Sequence, residues 1–290
     1  MAFQELTLNR QHISPKTTLR HLGTSLDKII RLADKHTRSV QSWLSSRAPG
    51  AKRFEGLGVT ATSSGLQVPL LNLALGCDFS PGTSEEIIDH EIELVKRFFA
   101  RRAVPWAWWI GPHVRPADIG QRLERHGLRP DSRLLPALVT SLPSQLPAVN
   151  PAARVWQASS LADLEAASTI RRIAFNFPYA TALHYFEAMA EDWLKNPCAR
   201  LFLACLGDGA PAAIGAMIVR AGMPGVYVMA TLPEWSRRGL GSAILVHILN
   251  EAAAEGHRFI SLTASKYGYP LYRRFGFEHI FDYTVYRLPA

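Results

Sequence analysis

Pro233-Glu234-Trp235-Ser236-Arg237-Arg238-Gly239-Leu240-Gly241-Ser242-Ala243-Ile244-Leu245 follows an extended apolar run, Val226 to Leu232, and opens a helical pattern. A strand, a turn rich in glycine and arginine, and then a helix is how a chain offers unpaired backbone N–H groups to a phosphate. The first N–H groups of a helix have no internal acceptor, and the helix dipole adds partial positive charge there. Gly239 and Gly241 keep Cβ atoms out of the approach. Arg237 and Arg238 add full charges. The local chemistry predicts a phosphate or pyrophosphate site.

Three phosphate-binding patterns compete for this stretch. The dinucleotide pattern Gly-x-Gly-x-x-Gly meets Ile244 where its third glycine should stand. The P-loop needs Gly-Lys-Ser/Thr, and the chain has none here. Ser236-Arg237-Arg238-Gly239-Leu240-Gly241 resembles the acyl-CoA loop of the GNAT N-acetyltransferase superfamily, Gln/Arg-x-x-Gly-x-Gly/Ala, with Pro233-Glu234 also familiar before it. Ser236 stands where that family has Gln or Arg. A shifted register, Arg238-x-x-Gly241-x-Ala243, also satisfies the pattern. The first register keeps Gly-Leu-Gly in the usual frame after Pro-Glu.

A second motif lies downstream. Ile260-Ser261-Leu262-Thr263-Ala264-Ser265 is followed by Tyr269-Pro270-Leu271-Tyr272-Arg273-Arg274-Phe275-Gly276-Phe277. This resembles the Leu-Tyr-x-x-x-Gly-Phe signature at the end of a GNAT domain, and the two motifs stand in the family's order. The resemblance covers about Ala153 to Leu288. It implies an α/β chain of the α+β kind, with a mixed, splayed sheet.

The remaining composition sets bounds. The chain has 290 residues, enough for two domains, and 48% of them are hydrophobic. No basic segment followed by an apolar one opens it and no apolar run is long enough to span a bilayer, so a cytoplasmic protein is expected. Cys77, Cys198 and Cys205 lack metal-ligand spacing and read as reduced, buried thiols, and the scattered histidines suggest no metal site. The net charge of +8 suits an anionic ligand. The arginine pairs Arg101-Arg102, Arg171-Arg172 and Arg273-Arg274 read as solvated helix faces.

Ser141 to Pro151, punctuated by Pro143, Pro147 and Pro151, divides the chain near its middle. Beyond it the pattern reads strand Ala153–Ala158, helices Ser160–Ala174 and Tyr179–Leu194, and strands Arg200–Leu206, Ala213–Arg220 and Val226–Leu232. A helix Gly239–Glu255, a strand Phe259–Ala264, a short helix Pro270–Phe275 and a final strand His279–Leu288 follow.

The N-terminal half reads as a worn copy of the same plan. After helices in Leu19–Arg47 come strands at Leu57–Ala61 and Leu70–Leu75. Thr83-Ser84-Glu85-Glu86 suggests a capping box opening a helix with Ile87, Ile88, Ile92, Val95, Phe98 and Phe99 on one face. A strand Pro105–Ile110, a short helix and a final strand Arg133–Ser141 complete it. Gly127, Leu128 and Leu123 fall on Gly276, Phe277 and Tyr272. The copy lacks the chemistry. Its loop is Gly76-Cys77-Asp78-Phe79-Ser80-Pro81-Gly82, and Asp78, Glu85 and Glu86 would repel a pyrophosphate. The expected division is a degenerate GNAT-like lobe over 1–142, a linker over 143–151 and a catalytic domain over 152–290.

The GNAT resemblance implies acetyl-CoA as co-substrate and direct transfer of its acyl group to an amine, with no covalent enzyme intermediate. Met229, Ala230, Thr231 and Leu232 match the backbone that pairs with the pantetheine amides. Arg237, Arg238, Gly239, Leu240, Gly241 and Ser242 match the pyrophosphate cradle, and Ser265 a further CoA contact. Tyr272 matches the general acid for the CoA sulfur. The base stays open: Glu234, and His184, Glu187 and Glu191 on the helix before the central strands, compete with an ordered water. Phe175, Phe177, Tyr179, Tyr185 and Phe186 make that region aromatic, for core packing or an acceptor pocket. An acyltransferase acting on an amine of a small molecule or peptide is the leading expectation, with a non-catalytic acyl-CoA-binding module as the alternative. Aminoacyl transfer from charged tRNA is disfavoured by the intact loop, so neither nucleic acid nor membrane is expected as a partner. A homodimer is compatible with the sequence.

Overall fold

The structure is a computed structural model that describes residues 24–132, 134–142, 146–177, 186 and 188–289. Tyr179, His184, Tyr185 and Glu187 lie outside the described residues, as do 19–23 of the first helical stretch, Arg133 and positions 143–145.

The first helix, α1 (Leu26–Ser46), starts at Ser25, whose Oγ accepts the Lys28 N–H at 3.3 Å. It buries Ile29, Ala33, Val40, Trp43 and Leu44, together with Asp34, His36 and Thr37. Strands β1 (Lys52–Glu55), β2 (Thr60–Ser63) and β3 (Asn72–Leu75) form an antiparallel meander. The expected strand at Leu57–Ala61 begins only at Thr60, because the Gly56 N–H turns back onto the Val59 carbonyl and leaves Leu57 71% exposed. Likewise Leu70 belongs to a 3-10 turn, Pro69–Leu71, and β3 starts at Asn72.

Helix α2 (Glu85–Arg102) is capped by Ser84, not Thr83: the Ser84 Oγ accepts the Ile87 N–H at 3.4 Å. The third helical residue is therefore Ile87, and no reciprocal glutamate closes the box. Starting the helix there also turns Ile87 to solvent, while Ile88, Ile92, Val95 and Phe99 are buried as expected. Strand β4 (Ala107–Ile110), helix α3 (Ile119–Arg125), the short β5 (Arg129–Pro130) and β6 (Leu135–Ser141) end this half.

The second half runs β7 (Ala153–Gln157), α4 (Leu161–Phe175), α5 (Ala190–Lys195), β8 (Ala199–Leu206), β9 (Ala213–Arg220), β10 (Met223–Thr231), α6 (Leu240–Ala254), β11 (Phe259–Thr263), α7 (Tyr269–Arg274) and β12 (Glu278–Arg287). Ser160 and Asp163 form a complete capping box on α4. Two other expectations fail on burial. Arg171 is buried, with its guanidinium over the Phe177 and Phe186 rings, so it is no solvated helix residue. Cys198 is exposed in the turn before β8, while Cys77 and Cys205 are buried.

Twelve strands among the described residues form one mixed sheet, in the order β1-β2-β3-β4-β12-β6-β11-β10-β9-β8-β7, with β5 against β12. The two final strands have changed places. β6 lies against β11 (Phe259 opposite Ser141, Thr263 opposite Ala137), and β12 runs on to β4 (Thr284 opposite Ile110, Tyr286 opposite Trp108). Between them β6 and β12 pair with each other, Glu278 opposite Val139 and Tyr283 opposite Leu135. Each half thus completes the other's sheet. The ladder hydrogen bonds that a lone half would leave open at its edge are closed by its neighbour. Helix α1 packs across β2, β3, β9, β10 and β11, spanning the seam on one face. On the other face α6 covers β8, β9 and β10, with Leu240, Ile244 and Ile248 in the core with Val226, Ile260 and Tyr272.

Candidate active site

Strand β10 carries the first element of the site. Its pairing with β9 runs from Met223 opposite Arg220 to Tyr227 opposite Ala216, then resumes one residue out of step with Ala230 opposite Ile214. The extra residue sits at Val228 and Met229, and Val228 takes a left-handed φ of 55°. Gly215 makes room for it: a Cβ there would run into the Met229 Sδ and the Ile244 Cγ2. On its other side β10 pairs with β11 in parallel at a single place, Gly225 opposite Ser261. Among the described residues no further pair joins the two strands. Among the four residues expected to offer backbone here, Leu232 already gives its N–H to the Ala212 carbonyl at 2.9 Å. Its carbonyl accepts the Trp235 N–H at 2.9 Å, which closes the turn that follows.

The loop after β10 makes a 3-10 turn over Pro233–Trp235, then two left-handed residues, Arg237 (φ 60°) and Gly239 (φ 92°). Gly239 is the N-cap of α6 and has no side chain to spend on the helix. Its carbonyl accepts the Ala243 N–H at 2.9 Å. The N–H groups of Leu240, Gly241 and Ser242 have no acceptor among the described residues, so the first turn of α6 keeps its donors and its dipole. Arg237 and Arg238 are exposed, and the Arg238 guanidinium stacks 4.9 Å over the Trp235 ring.

The third element is α7. Ser265 caps its entry: its Oγ accepts the Gly268 N–H at 3.2 Å, and its carbonyl accepts the Tyr269 N–H at 2.9 Å. Tyr272 follows, buried, edge-on to Phe277 at 5.8 Å and against Gly268. Burial pushes its phenol well above the usual tyrosine range, so it is held protonated. Two contacts tie α7 to the phosphate-type loop. Leu271 faces Gly241, and Arg274 donates from Nη2 to the Ser242 Oγ at 3.4 Å. The end of β10 at Thr231, the helix N-terminus and α7 with Tyr272 therefore belong to one connected corner of the C-terminal half.

Of the base candidates, only Glu234 and Glu191 are among the described residues, and neither joins this corner through a hydrogen bond or ion pair there. Glu234 is exposed in the 3-10 turn. Glu191 is exposed on α5, 3.6 Å from Lys195, beside a polar cleft that includes Arg47, Asp192 and Asn196. Arg274 was legible only as a charge on a helix, yet it reaches the first turn of α6. The Val228 bulge had one signal in the sequence, the isolated Gly215 in an apolar strand, which marks close approach of another chain segment.

One parallel strand pair, a glycine-capped helix after it and a buried tyrosine on the following helix make up this corner. Residues 218–280 match the family model described as an acetyltransferase (GNAT) domain. Three solved structures share the architecture over nearly the whole chain. A GCN5-related N-acetyltransferase from Kribbella flavida is 18% identical, over 88% of this chain and 96% of that one, with a TM-score of 0.66. A GCN5-related N-acetyltransferase from Sphaerobacter thermophilus is 17% identical, over 91% and 93%, at 0.61. A tandem GNAT protein from the clavulanic acid biosynthesis pathway, solved without AcCoA, is 12% identical, over 95% and 98%, at 0.60. No curated protein matches the sequence. The chain shares the fold of these structures, a tandem GNAT protein among them, and its stretch 218–280 carries the acetyltransferase-domain match. No described helix is long and apolar enough to cross a membrane.

Proposed function

We propose that this chain is an N-acetyltransferase that moves the acetyl group of acetyl-CoA to a primary amine of a small molecule or peptide by direct attack. Residues 152–290 form the catalytic unit, 143–151 the connector and 1–142 a GNAT-like lobe without a site of its own. The observation that carries the reading is the glycine-capped N-terminus of α6, with unspent N–H groups and uncompensated arginines, after a strand that pairs with β11 at a single place. Such a terminus fits a pyrophosphate in charge and geometry.

Acetyl-CoA supplies an activated thioester. Arg237 to Ser242 hold its phosphates, and Met229 to Thr231 offer backbone along the cleft, where a donor can stabilise charge developing on the thioester oxygen. Tyr272, kept protonated by its surroundings, donates a proton as the thiolate leaves. Ser265 acts on Tyr272 by fixing the turn into α7.

The close packing of Tyr272, 7% exposed, favours one alternative, a non-catalytic acyl-CoA-binding module. Tyr272→Phe separates the two. Calorimetric titration with acetyl-CoA should give one site per chain and an unchanged affinity in the variant. Thiol release on an amine panel should fall by about 10²–10³. Binding without turnover by the wild-type chain on every amine would leave the binding module standing. Absence of binding would sink both.

A further inference from the structure

Among the described residues of the connector between the two halves, Asn150 hydrogen-bonds the phosphate-type loop. Its side-chain Nδ2 donates to the Arg238 carbonyl at 2.9 Å, and its Oδ1 accepts the Ala152 N–H at 3.0 Å. Its own carbonyl accepts the Ala153 N–H at 3.0 Å, at the start of β7. Val149 and Leu146, just before it, pack on the core under α6. The Ala152 N–H and the Arg238 carbonyl between them fix which way the amide points. Asn150 is thus anchored from behind, with one donor facing the loop.

That donor acts on a peptide plane that matters. In a trans peptide the carbonyl of one residue and the N–H of the next point in opposite directions. Holding the Arg238 carbonyl on the connector side turns the Gly239 N–H to the opposite side. Gly239 follows with its φ of 92°, and the unspent N–H groups of Leu240 to Ser242 come next. Gly239 is also the position where a Cβ would lie 2.9 Å from the Asn150 Cβ, so the two residues have been shaped to each other. We propose that Asn150 is a positioning residue for the acyl-CoA pyrophosphate: it aims the backbone N–H groups of the 237–242 loop without touching the ligand. The proposal rests on the acetyl-CoA reading of the site and names a device within it. It gives the connector a role beyond joining two lobes.

The test compares two ligands. Acetyl-CoA carries the phosphates, whereas S-acetyl-pantetheine carries the thioester and amides without any phosphate. Asn150→Ala removes the donor. Asn150→Asp also removes it but keeps Oδ1 for the Ala152 N–H, so the connector turn survives, and it sets a carboxylate beside the loop. Thermal melts confirm that each variant folds. For acetyl-CoA, Kd should rise about fivefold in Asn150→Ala, the value of one hydrogen bond, and about tenfold or more in Asn150→Asp. For S-acetyl-pantetheine at millimolar concentration, Kd should be the same in all three proteins. A parallel loss for both ligands would overturn the positioning role, since a general disordering of the cleft has no preference for phosphate. So would unchanged acetyl-CoA affinity in both variants. A wild-type chain that binds neither ligand would overturn the acetyl-CoA reading itself, an outcome distinct from either of these.

Discussion

From β1 and from β8 onward the two lobes run three strands, a helix, a strand, a short helix and a final strand in the same order, with the short β5 added in the first, and they part company at one helix end. In the C-terminal lobe the long helix α6 is capped by Gly239, which gives it nothing. In the N-terminal lobe α2 is capped by Ser84, whose hydroxyl takes up a first-turn N–H. An arginine from the following short helix reaches the helix start in each case. Arg274 meets the neutral Ser242 hydroxyl. Arg122 is buried among Glu85 at 2.9 Å, Asp118 at 3.1 Å and Asp89 at 3.5 Å, so its charge is already answered. The strands differ too. β3 and β4 stay paired through Leu75 opposite Trp109, and the chain beyond them is stitched by Arg115 N–H to the Cys77 carbonyl at 2.7 Å and Phe79 N–H to the Arg115 carbonyl at 3.2 Å. β10 and β11 share one pair. One lobe has spent its donors on itself, and the other has kept them. A binding site of this kind consists of hydrogen bonds the fold declines to make internally.

The most severe way to break this contrast is Gly239→Glu. The left-handed φ, the contact with Asn150 and the added carboxylate all oppose binding. Affinity for acetyl-CoA should fall by more than about 100-fold, the combined scale of backbone strain and a misplaced charge. Calorimetry of the variant is decisive about both lobes. Residual binding at one site per chain would mean that the N-terminal lobe keeps a working site after all.

The phosphate-type loop was legible because its physics is local: glycines, arginines and a strand-to-helix change lie within about a dozen residues. The same holds for Tyr272, whose setting is carried by neighbours in sequence. What escaped notice depends on distant partners. The exchange of β6 and β12 cannot be read, because Leu135–Ser141 and Glu278–Arg287 each follow a short helix as a final strand, and which strand each pairs with is set by residues far away in the chain. The pairing of Arg122 with three carboxylates, and of Asn150 with Arg238, joins residues far apart in the chain. Leu57 misled for the opposite reason. It looks like the start of a strand, but the turn between Gly56 and Val59 sets it in water.

Exchanged strands and the bridging α1 predict that the lobes unfold together, and acid offers a way to ask. His36 on α1 is buried against the C-terminal strands, with Nδ1–H donating to the Arg220 carbonyl at 2.9 Å and its ring 5.7 Å from Tyr227. Burial lowers its pKa from 6.5 to about 4, with the nearby Arg220 charge adding to the effect. The unfolded chain binds this proton more readily than the folded one. Stability from this group is therefore complete above pH 6.5 and is lost as pH falls toward 4, by about 3 kcal/mol in all. Denaturant titrations from pH 8 to pH 4 should show a single transition that weakens over this window, and His36→Gln should flatten the slope. Two separate transitions would mean that the seam does not couple the lobes. Parallel pH curves for wild type and variant would remove His36 from the account.

The smallest expected effect sharpens the comparison most. Ser84→Gly gives the N-terminal lobe the cap of its twin. A glycine N-cap costs only a few tenths of a kcal/mol relative to serine, so the melting temperature should drop by a degree or two at most. If a free helix end were sufficient for a site, this variant would gain a second, weak acetyl-CoA site. We expect none. The carboxylate of Glu85 would still sit at the helix start, and the backbone bonds between Arg115 and Cys77 would still close the strands where the cleft should open. A second site appearing in Ser84→Gly would show that capping alone separates the lobes. Its absence would leave the difference with the Glu85 carboxylate and the closed strands, which no single substitution at a cap can undo.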